Sequence, residues 1–236
     1  GELPMIDVRP FEQLGSAHHG WLNARHHFSF ADYHDAKRMN WGRLRVWNDD
    51  EIGARSGFPP HPHADMEIIT YVRQGAITHE DSLGNRGRTV AGDVQVMSAG
   101  SGIVHSEYNL EDEETRIFQI WIHPQQTGLP PTWGTRRFPS GERAGAFVTL
   151  ASGYEEDVDT LRIRTDARLV AATVKTGQSA EYVLQPGRKA YLVGATGAFT
   201  VNGVAAKARD GVAIADEALI RIEATEDSEI VLVDVA

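Results

Sequence analysis

Short segments in which apolar residues alternate with polar ones recur along the whole chain, and residues that favour turns separate them. Segments of this kind, rich in Val, Ile, Phe, Tyr and Trp, are typical of half-buried β-strands. The clearest are residues 44–47, 67–72, 94–97, 117–122, 191–193, 198–201 and 229–233. Because helical patterns are few and the strands recur at short intervals, the sequence predicts an all-β fold of the sandwich or barrel type.

The two halves of the chain resemble each other. The sequence from Tyr71 to Thr78 is an apolar strand followed by a glycine turn, and the sequence from Tyr191 to Thr200 has the same order. Further along, residues 91–97 are similar to residues 209–214. A repeat of this size indicates two similar β-domains in tandem.

The histidines are confined to the first half. All ten lie at or before His123, and residues 124–236 contain none. We place the boundary between the two domains in the Pro- and Gly-rich stretch 124–145, which predicts an N-terminal domain of residues 1–130 and a C-terminal domain of residues 131–236. If the domains share one architecture, only the first can build a site from imidazoles.

Composition limits the classes of function. Of the 236 residues, 41% are hydrophobic and 24% are charged, which is typical of a globular protein. The net charge of −10 repels phosphate backbones and anionic lipid, so we expect no direct binding to nucleic acid or membranes. The lack of cysteine excludes disulfides and thiolate chemistry. With no long apolar run, the chain is predicted to be cytoplasmic.

Two pairs of potential metal ligands stand out in the first half. His61 and His63 flank a proline just before the strand at residue 67, and His105 and Glu107 follow a glycine-rich turn. In an extended chain, residues i and i+2 point to the same face. If the two strands are neighbours, three imidazole nitrogens and one carboxylate converge, a donor set that suits a divalent first-row metal.

The residues beside each pair support this interpretation. Pro59, Pro60 and Pro62 stiffen the first pair and cannot donate to a ladder, so we expect this arm at a strand start or a sheet edge. Gly100 and Gly102 allow a tight turn before the second pair.

The fourth ligand position has two candidates. Glu107 is favoured because it shares a strand face with His105 by simple alternation. Glu67 competes, because it follows the first pair at a spacing found in many metal-binding β-barrels. We expect Gln95 and Asn109 to lie beside the ligands. The other histidines are predicted to be hydrogen-bonded, packed or exposed residues: His18, His19, His26, His27, His34, His79 and His123.

Both ligand pairs lie within longer motifs. The stretch from Gly57 to Glu67 resembles the first motif of the cupin superfamily in its pirin form. The stretch from Gly92 to Asn109 resembles the second motif with the pirin-type HxE ending. Residues 26–33 and 119–122 are also similar to bacterial pirins, and the resemblance extends over essentially the whole chain.

The resemblance implies a bicupin, with two tandem cupin (jelly-roll) β-barrels and a metal only in the N-terminal one. The family motif assigns the ligands to His61, His63, His105 and Glu107, and leaves Glu67 as a pocket or structural residue. It implies one divalent cation, with Fe²⁺ as the first choice and Zn, Mn, Ni, Co or Cu as alternatives.

The function that the resemblance implies is a metal-dependent dioxygenase. Bacterial pirins of this pattern are associated with quercetin 2,3-dioxygenase activity, in which O₂ opens the flavonol ring and CO is released. We expect Glu107 to act as the catalytic base as well as a ligand, because it lies in the metal shell and can accept the proton of the substrate hydroxyl. We expect a monomer acting on a small aromatic substrate. One alternative is a non-catalytic, metal-responsive regulator that acts through a protein partner, and another is a different cupin reaction.

Overall fold

The computed structural model describes residues 5–236, and its regular structure is almost entirely β-strand. The strands are β1 (Met5–Arg9), β2 (Gly15–His18), β3 (Leu22–His26), β4 (Leu44–Ile52), β5 (Ser56–His63), β6 (Glu67–Gln74), β7 (Ala76–Asp81), β8 (Arg86–Val90), β9 (Val94–Ser98), β10 (Ile103–Asn109), β11 (Thr115–Ile122), β12 (Thr132–Arg136), β13 (Val148–Ser152), β14 (Leu161–Arg162), β15 (Ala167–Val174), β16 (Ser179–Val183), β17 (Lys189–Thr196), β18 (Ala198–Val201), β19 (Val204–Lys207), β20 (Gly211–Ala215), β21 (Leu219–Ala224) and β22 (Ser228–Val235). Two 3₁₀ turns, Phe11–Gln13 and Ser140–Arg143, complete the regular elements.

The strand predictions and the all-β fold class are confirmed. Each of the seven alternating segments lies within one strand of the structure. In β11, Arg116, Gln119 and Trp121 are half-buried, while Ile117, Phe118, Ile120 and Ile122 are fully buried. In the part of the chain from residue 5 onward, no helix has the length and apolar character to cross a membrane.

One compact unit consists of residues 15–138 and 161–165. It contains a seven-stranded sheet in the order β12-β9-β6-β11-β4-β3-β2 and a four-stranded sheet in the order β5-β10-β7-β8. Neighbouring strands in both sheets run antiparallel. Two antiparallel sheets with apolar side chains between them form a jelly-roll unit.

The second compact unit consists of residues 5–14, 139–160 and 166–236. Its larger sheet has the order β1-β20-β17-β22-β15-β13, and its four-stranded sheet has the order β16-β21-β18-β19. Side chains from both sheets form one apolar core. Residues 5–9, which the sequence analysis counted with the N-terminal domain, pair with β20 of this unit. The domain bounds 1–130 and 131–236 stay a prediction.

Candidate metal centre

The two ligand pairs lie on adjacent strands. His61 on β5 is directly opposite His105 on β10, and His63 is opposite Ile103. By alternation, His61 and His63 occupy the same face of β5. The ring centroids of the three histidines are 4.5, 4.8 and 4.9 Å apart, and one ligand atom from each lies within 4.8 Å of the others. The structure therefore brings His61, His63 and His105 together.

The backbone on either side of the site agrees with the sequence analysis. The proline-rich strand β5 is at the edge of its sheet, where the missing N–H groups cost no ladder hydrogen bond. The turn before β10 places Gly100 and Gly102 at φ 51° and 137°, which favours glycine. The stiff arm and the tight turn together present both ligand pairs to one side of the four-stranded sheet.

A hydrogen bond determines which nitrogen of His61 is free. Its Nδ1 lies 2.7 Å from the carbonyl oxygen of Pro59, so Nδ1 carries the proton and donates it. The lone pair of His61 is therefore on Nε2, which lies 2.9 Å from Nε2 of His105. For two ligands at right angles around a metal with bonds of about 2.1 Å, the expected separation is about 3.0 Å. The pair of nitrogens fits a shared divalent cation.

Glu107 lies beside the three histidines without joining their tight group. Its Oε1 is 3.8 Å from Nε2 of His105. Both carboxylate oxygens accept hydrogen bonds from amide side chains: Gln119 Nε2 donates to Oε1 at 2.8 Å, and Gln95 Nε2 donates to Oε2 at 2.9 Å. The indole N–H of Trp121 donates to Oε1 of Gln119 at 3.2 Å, which fixes the orientation of that amide. The side chain of Glu107 is thus held in one position.

The equivalent positions in the second unit are apolar. In the first unit, Gln95 of β9 and Gln119 of β11 are both paired with Thr70 of β6. Thr70 is three residues after Glu67, where both pairings begin. In the second unit, the same ladder positions on β17, β20 and β22 hold Leu192, Val212 and Leu232. The polar groups that orient a carboxylate are therefore a feature of the first unit, where the histidines also lie.

Burial controls the protonation of the candidate ligands. It lowers the pKa of His63 to about 4, together with the charge of His61, and it lowers the pKa of His105 further. Both rings are neutral at neutral pH and can bind a cation without releasing a proton. Burial raises the pKa of Glu107 to about 7, even though Gln119, Thr70 and Gln95 stabilise its charged form.

Glu67, the other candidate for the fourth ligand position, forms its hydrogen bonds with Ser98 and Arg164. Its Oε1 accepts hydrogen bonds from Ser98 Oγ at 2.7 Å and from the backbone N–H of Arg164 at 2.6 Å. The expectation for Gln95 is confirmed by its bond to Glu107. The expectation for Asn109 is wrong, because its amide donates to the backbone carbonyl groups of Ile52 at the end of β4, of Gly53 in the connection from β4 to β5 and of Glu113 in the loop after β10. Asn109 shapes these loops and does not contact the ligands.

His79 also lies beside the ligands, although the sequence pattern predicted only a packed or exposed residue there. This histidine is fully buried, its Nδ1 lies 3.4 Å from Nδ1 of His105, and its Nε2 lies 2.7 Å from Oδ2 of Asp81. The ring of Trp133 stacks on it at 4.6 Å. The sequence could not predict this position, because a single histidine in a strand has no characteristic spacing to a second ligand.

Aromatic rings extend from the site toward residues 26–33. The ring of Trp121 lies 5.1 Å from His63 and 5.5 Å from Phe30, both edge to face. Phe30 in turn lies 5.1 Å from the buried ring of His26. Trp121 and Phe30 are only half-buried. They therefore offer an aromatic surface beside the histidines.

Asp50 is a further buried acid that sequence analysis did not single out. It lies on β4, opposite Ile117 and Ala24, and is 3% exposed. Burial raises its pKa to about 8, and the negative charges of Asp49 and Glu107 add to this. Asp50 is therefore largely protonated at neutral pH.

The remaining histidines do not form a second centre. His26 bonds to Asn48 at 2.8 Å and His18 bonds to Asn23 at 2.7 Å. Over residues 5–236, no other set of three or more His, Asp and Glu side chains has ligand atoms close enough to share a metal.

Two jelly-roll units in tandem, one of them with converging imidazoles, define a bicupin. Residues 7–122 match the family model described as Pirin, and residues 149–235 match the model described as Quercetinase C-terminal cupin domain. The chain is 66% identical over 232 residues to the Pirin-like protein of Caulobacter vibrioides, covering 98% of this chain and all of that protein. The chain belongs to the pirin family.

Two comparisons with Escherichia coli proteins agree with the assignment to the pirin family. The chain is 41% identical over 231 residues to a protein named Quercetin 2,3-dioxygenase, covering 98% of each. The crystal structure of the bacterial pirin YhhW in complex with nickel(II) superposes with a TM-score of 0.92 at 40% identity, covering 98% of this chain and 99% of that one.

Proposed function

We propose that this protein is a metal-dependent dioxygenase that opens the ring of a quercetin-like flavonol with O₂ and releases CO. His61, His63, His105 and Glu107 are the proposed ligands, and Fe²⁺ is the proposed resident metal. The observation that carries the proposal is the approach of two imidazole Nε2 atoms to 2.9 Å beside a buried glutamate. Nitrogen and oxygen donors in this number suit first-row divalent metals.

The proposed role of Glu107 is to accept the proton of the substrate hydroxyl. When bound, the metal would supply Lewis acidity that makes this hydroxyl more acidic. In the metal-free protein, burial raises the pKa of Glu107 to about 7, so this carboxylate takes up a proton more readily than an exposed one. Gln95 and Gln119 keep the accepting oxygens oriented and stabilise the charged form. Glu107 thus serves as ligand and base in this proposal.

The aromatic surface supports a planar aromatic substrate. Trp121 and Phe30 can contact the rings of a flavonol by offset or edge-to-face packing, which adds to the area buried. The buried apolar cluster that contains Ile68 and Met97 packs against Trp121. These apolar groups suit an aromatic substrate better than a sugar or a phosphate ester.

The test of the proposed function is direct. Purified protein loaded with Fe²⁺ is mixed with quercetin in air, and both the flavonol absorbance and the CO released are followed. The proposal predicts loss of flavonol with release of CO above a metal-only control. Binding of quercetin or metal without turnover would instead support the non-catalytic regulator.

Replacing Glu107 by Gln should lower turnover by about 10²–10⁴-fold, because the amide cannot accept a proton. The three histidines remain, so most of the bound metal should be kept. Steady-state rates with quercetin and elemental analysis of the same samples measure the two effects. Turnover that stays at the wild-type level would remove Glu107 as the base.

Glu67→Gln is the matched control for this variant. Glu67 is as buried as Glu107, and both of its hydrogen bonds go to one oxygen, which the glutamine keeps. We expect wild-type turnover and wild-type metal content. A large loss of metal in Glu67→Gln, with none in Glu107→Gln, would reverse the assignment of the fourth ligand.

A further inference from the structure

We infer that Asp81 and His79 form a hydrogen-bond relay that sets the tautomer of His105 and so makes its Nε2 available to a metal. The inference rests on the metal site of the proposed function. The relay runs along one face of the four-stranded sheet: His105 of β10 is opposite Asp81 of β7, and Glu107 is opposite His79. His79 lies between Asp81 and His105.

The relay begins at the carboxylate of Asp81, which accepts hydrogen bonds and has no proton to donate. Oδ1 of Asp81 accepts the backbone N–H groups of Leu83 and Asn85 at 2.9 and 3.1 Å, and the amide of Asn85 donates to both oxygens. Burial raises the pKa of Asp81, but the hydrogen bonds from His79, Asn85 and Leu83 outweigh it and leave the pKa below its usual value. Asp81 is therefore ionised, and its Oδ2 faces Nε2 of His79.

The proton positions follow in sequence. Because Oδ2 of Asp81 has no proton, Nε2 of His79 must donate to it. His79 is fully buried, and a neutral imidazole that donates from Nε2 has a bare lone pair on Nδ1. That lone pair faces Nδ1 of His105, which must then carry the proton. His105 is left with its lone pair on Nε2, toward His61.

Stacking holds the middle of the relay in place. The rings of His79 and Trp133 are parallel to within 6° at 4.6 Å, and the ring of His105 lies 5.3 Å from His79 on another side. His79 has no accessible surface, so no solvent can substitute for either hydrogen bond. A change of proton position at Asp81 is therefore passed to His105.

Asp81→Asn reverses the relay with a side chain of the same size; the Asn85 amide keeps its hydrogen bond to the remaining oxygen and loses the one to Oδ2. The amide oxygen of the asparagine remains with the backbone N–H groups of Leu83 and Asn85, so its NH₂ takes the place of Oδ2. This NH₂ donates to Nε2 of His79, which moves the His79 proton to Nδ1. Two Nδ1–H groups would then oppose each other, so His105 is driven to carry its proton on Nε2, the atom that should bind the metal.

We expect Asp81→Asn to weaken Ni²⁺ binding by about 10- to 100-fold, the size of effect usual for partners of metal-binding histidines. Competition with a chromophoric chelator measures the affinity in the full-length protein. Nitrogen-15 spectra of the imidazoles in the metal-free protein report the tautomer of His79. We expect Nε2–H in the wild type and Nδ1–H in the variant. Glu80→Gln, an exposed neighbour on the same strand, should change neither.

The outcomes separate this inference from the proposed function. Wild-type Ni²⁺ affinity in Asp81→Asn, or His79 already protonated at Nδ1 in the wild type, would overturn the relay. So would a loss of affinity with an unchanged tautomer, which marks a structural effect alone. If Asp81→Asn does not fold, His79→Leu replaces it, and wild-type affinity in that variant overturns the relay. Wild-type affinity in His105→Ala would instead overturn the metal site itself.

Discussion

Replacing His105 by Ala should abolish stoichiometric metal binding and, with it, all metal-dependent turnover. His105 is the most buried of the three converging histidines, and it is the one opposite His61 across the ladder. Its loss removes a nitrogen donor that hydrogen bonds have already oriented, so the affinity should fall by more than the roughly 100-fold expected for losing a partner of a ligand. Elemental analysis of protein purified in parallel with the wild type measures the effect.

His34→Ala is the control for this variant. His34 is exposed and belongs to the same half of the chain, but it is outside the converging group. It should retain the metal content and turnover of the wild type. Equal metal in His105→Ala and the wild type would mean that the bound metal lies elsewhere, and the site described here would lose its basis.

Replacing Asp50 by Asn should stabilise the metal-free protein strongly at alkaline pH and little at acidic pH. The asparagine has nearly the same shape but never ionises. In the wild type, the folded state holds the proton of Asp50 up to a pKa of about 8, whereas the unfolded chain loses it near the ordinary aspartate pKa of 3.8. The folded state therefore binds more protons between these two values, and wild-type stability falls there as pH rises.

The size of this effect follows from the linkage. The difference in unfolding free energy between Asp50→Asn and the wild type should grow by about 1.4 kcal/mol per pH unit at most, reaching a few kcal/mol near pH 8. Urea denaturation at pH 5 and pH 8 measures it. Asp112→Asn, an exposed carboxylate paired with Arg55, should show no comparable trend. A pH-independent difference for Asp50→Asn would show that the folded state does not retain this proton.

Much of the fold was predictable because its signal is local. Alternation within a strand reports one buried face, and each of the seven predicted segments lies in a strand. The histidine pairs were readable for the same reason, since residues i and i+2 share a face whatever the rest of the fold does. Only the pairing of His61 with His105 needed the structure.

The surroundings of the ligands were not predictable in this way. Gln119 reaches Glu107 only because β11 and β6 are adjacent in a particular register, and His79 meets His105 only because β7 pairs with β10. A shift of one residue in either ladder would turn these side chains to the other face. The burial of Asp50 was not predictable either. An acidic residue in a strand is usually exposed, and only the structure shows that Asp50 is buried.

The second unit lacks the polar side chains that surround Glu107 in the first unit. It repeats the ladder of the first unit but has Leu192, Val212 and Leu232 where the first unit orients a glutamate. These residues belong to a continuous apolar core. The two interiors thus differ at three positions. Thr70, Gln95 and Gln119 in the first unit can hold a charged carboxylate, whereas the apolar residues of the second unit form only a core.

X-ray absorption spectroscopy at the edge of the metal present after purification tests the central claim most directly. The account predicts a metal bound by nitrogen and oxygen donors at about 2.0–2.2 Å, with the multiple scattering of three imidazole rings. Protein that takes up no divalent metal, or a bound metal without imidazole scattering, would contradict it.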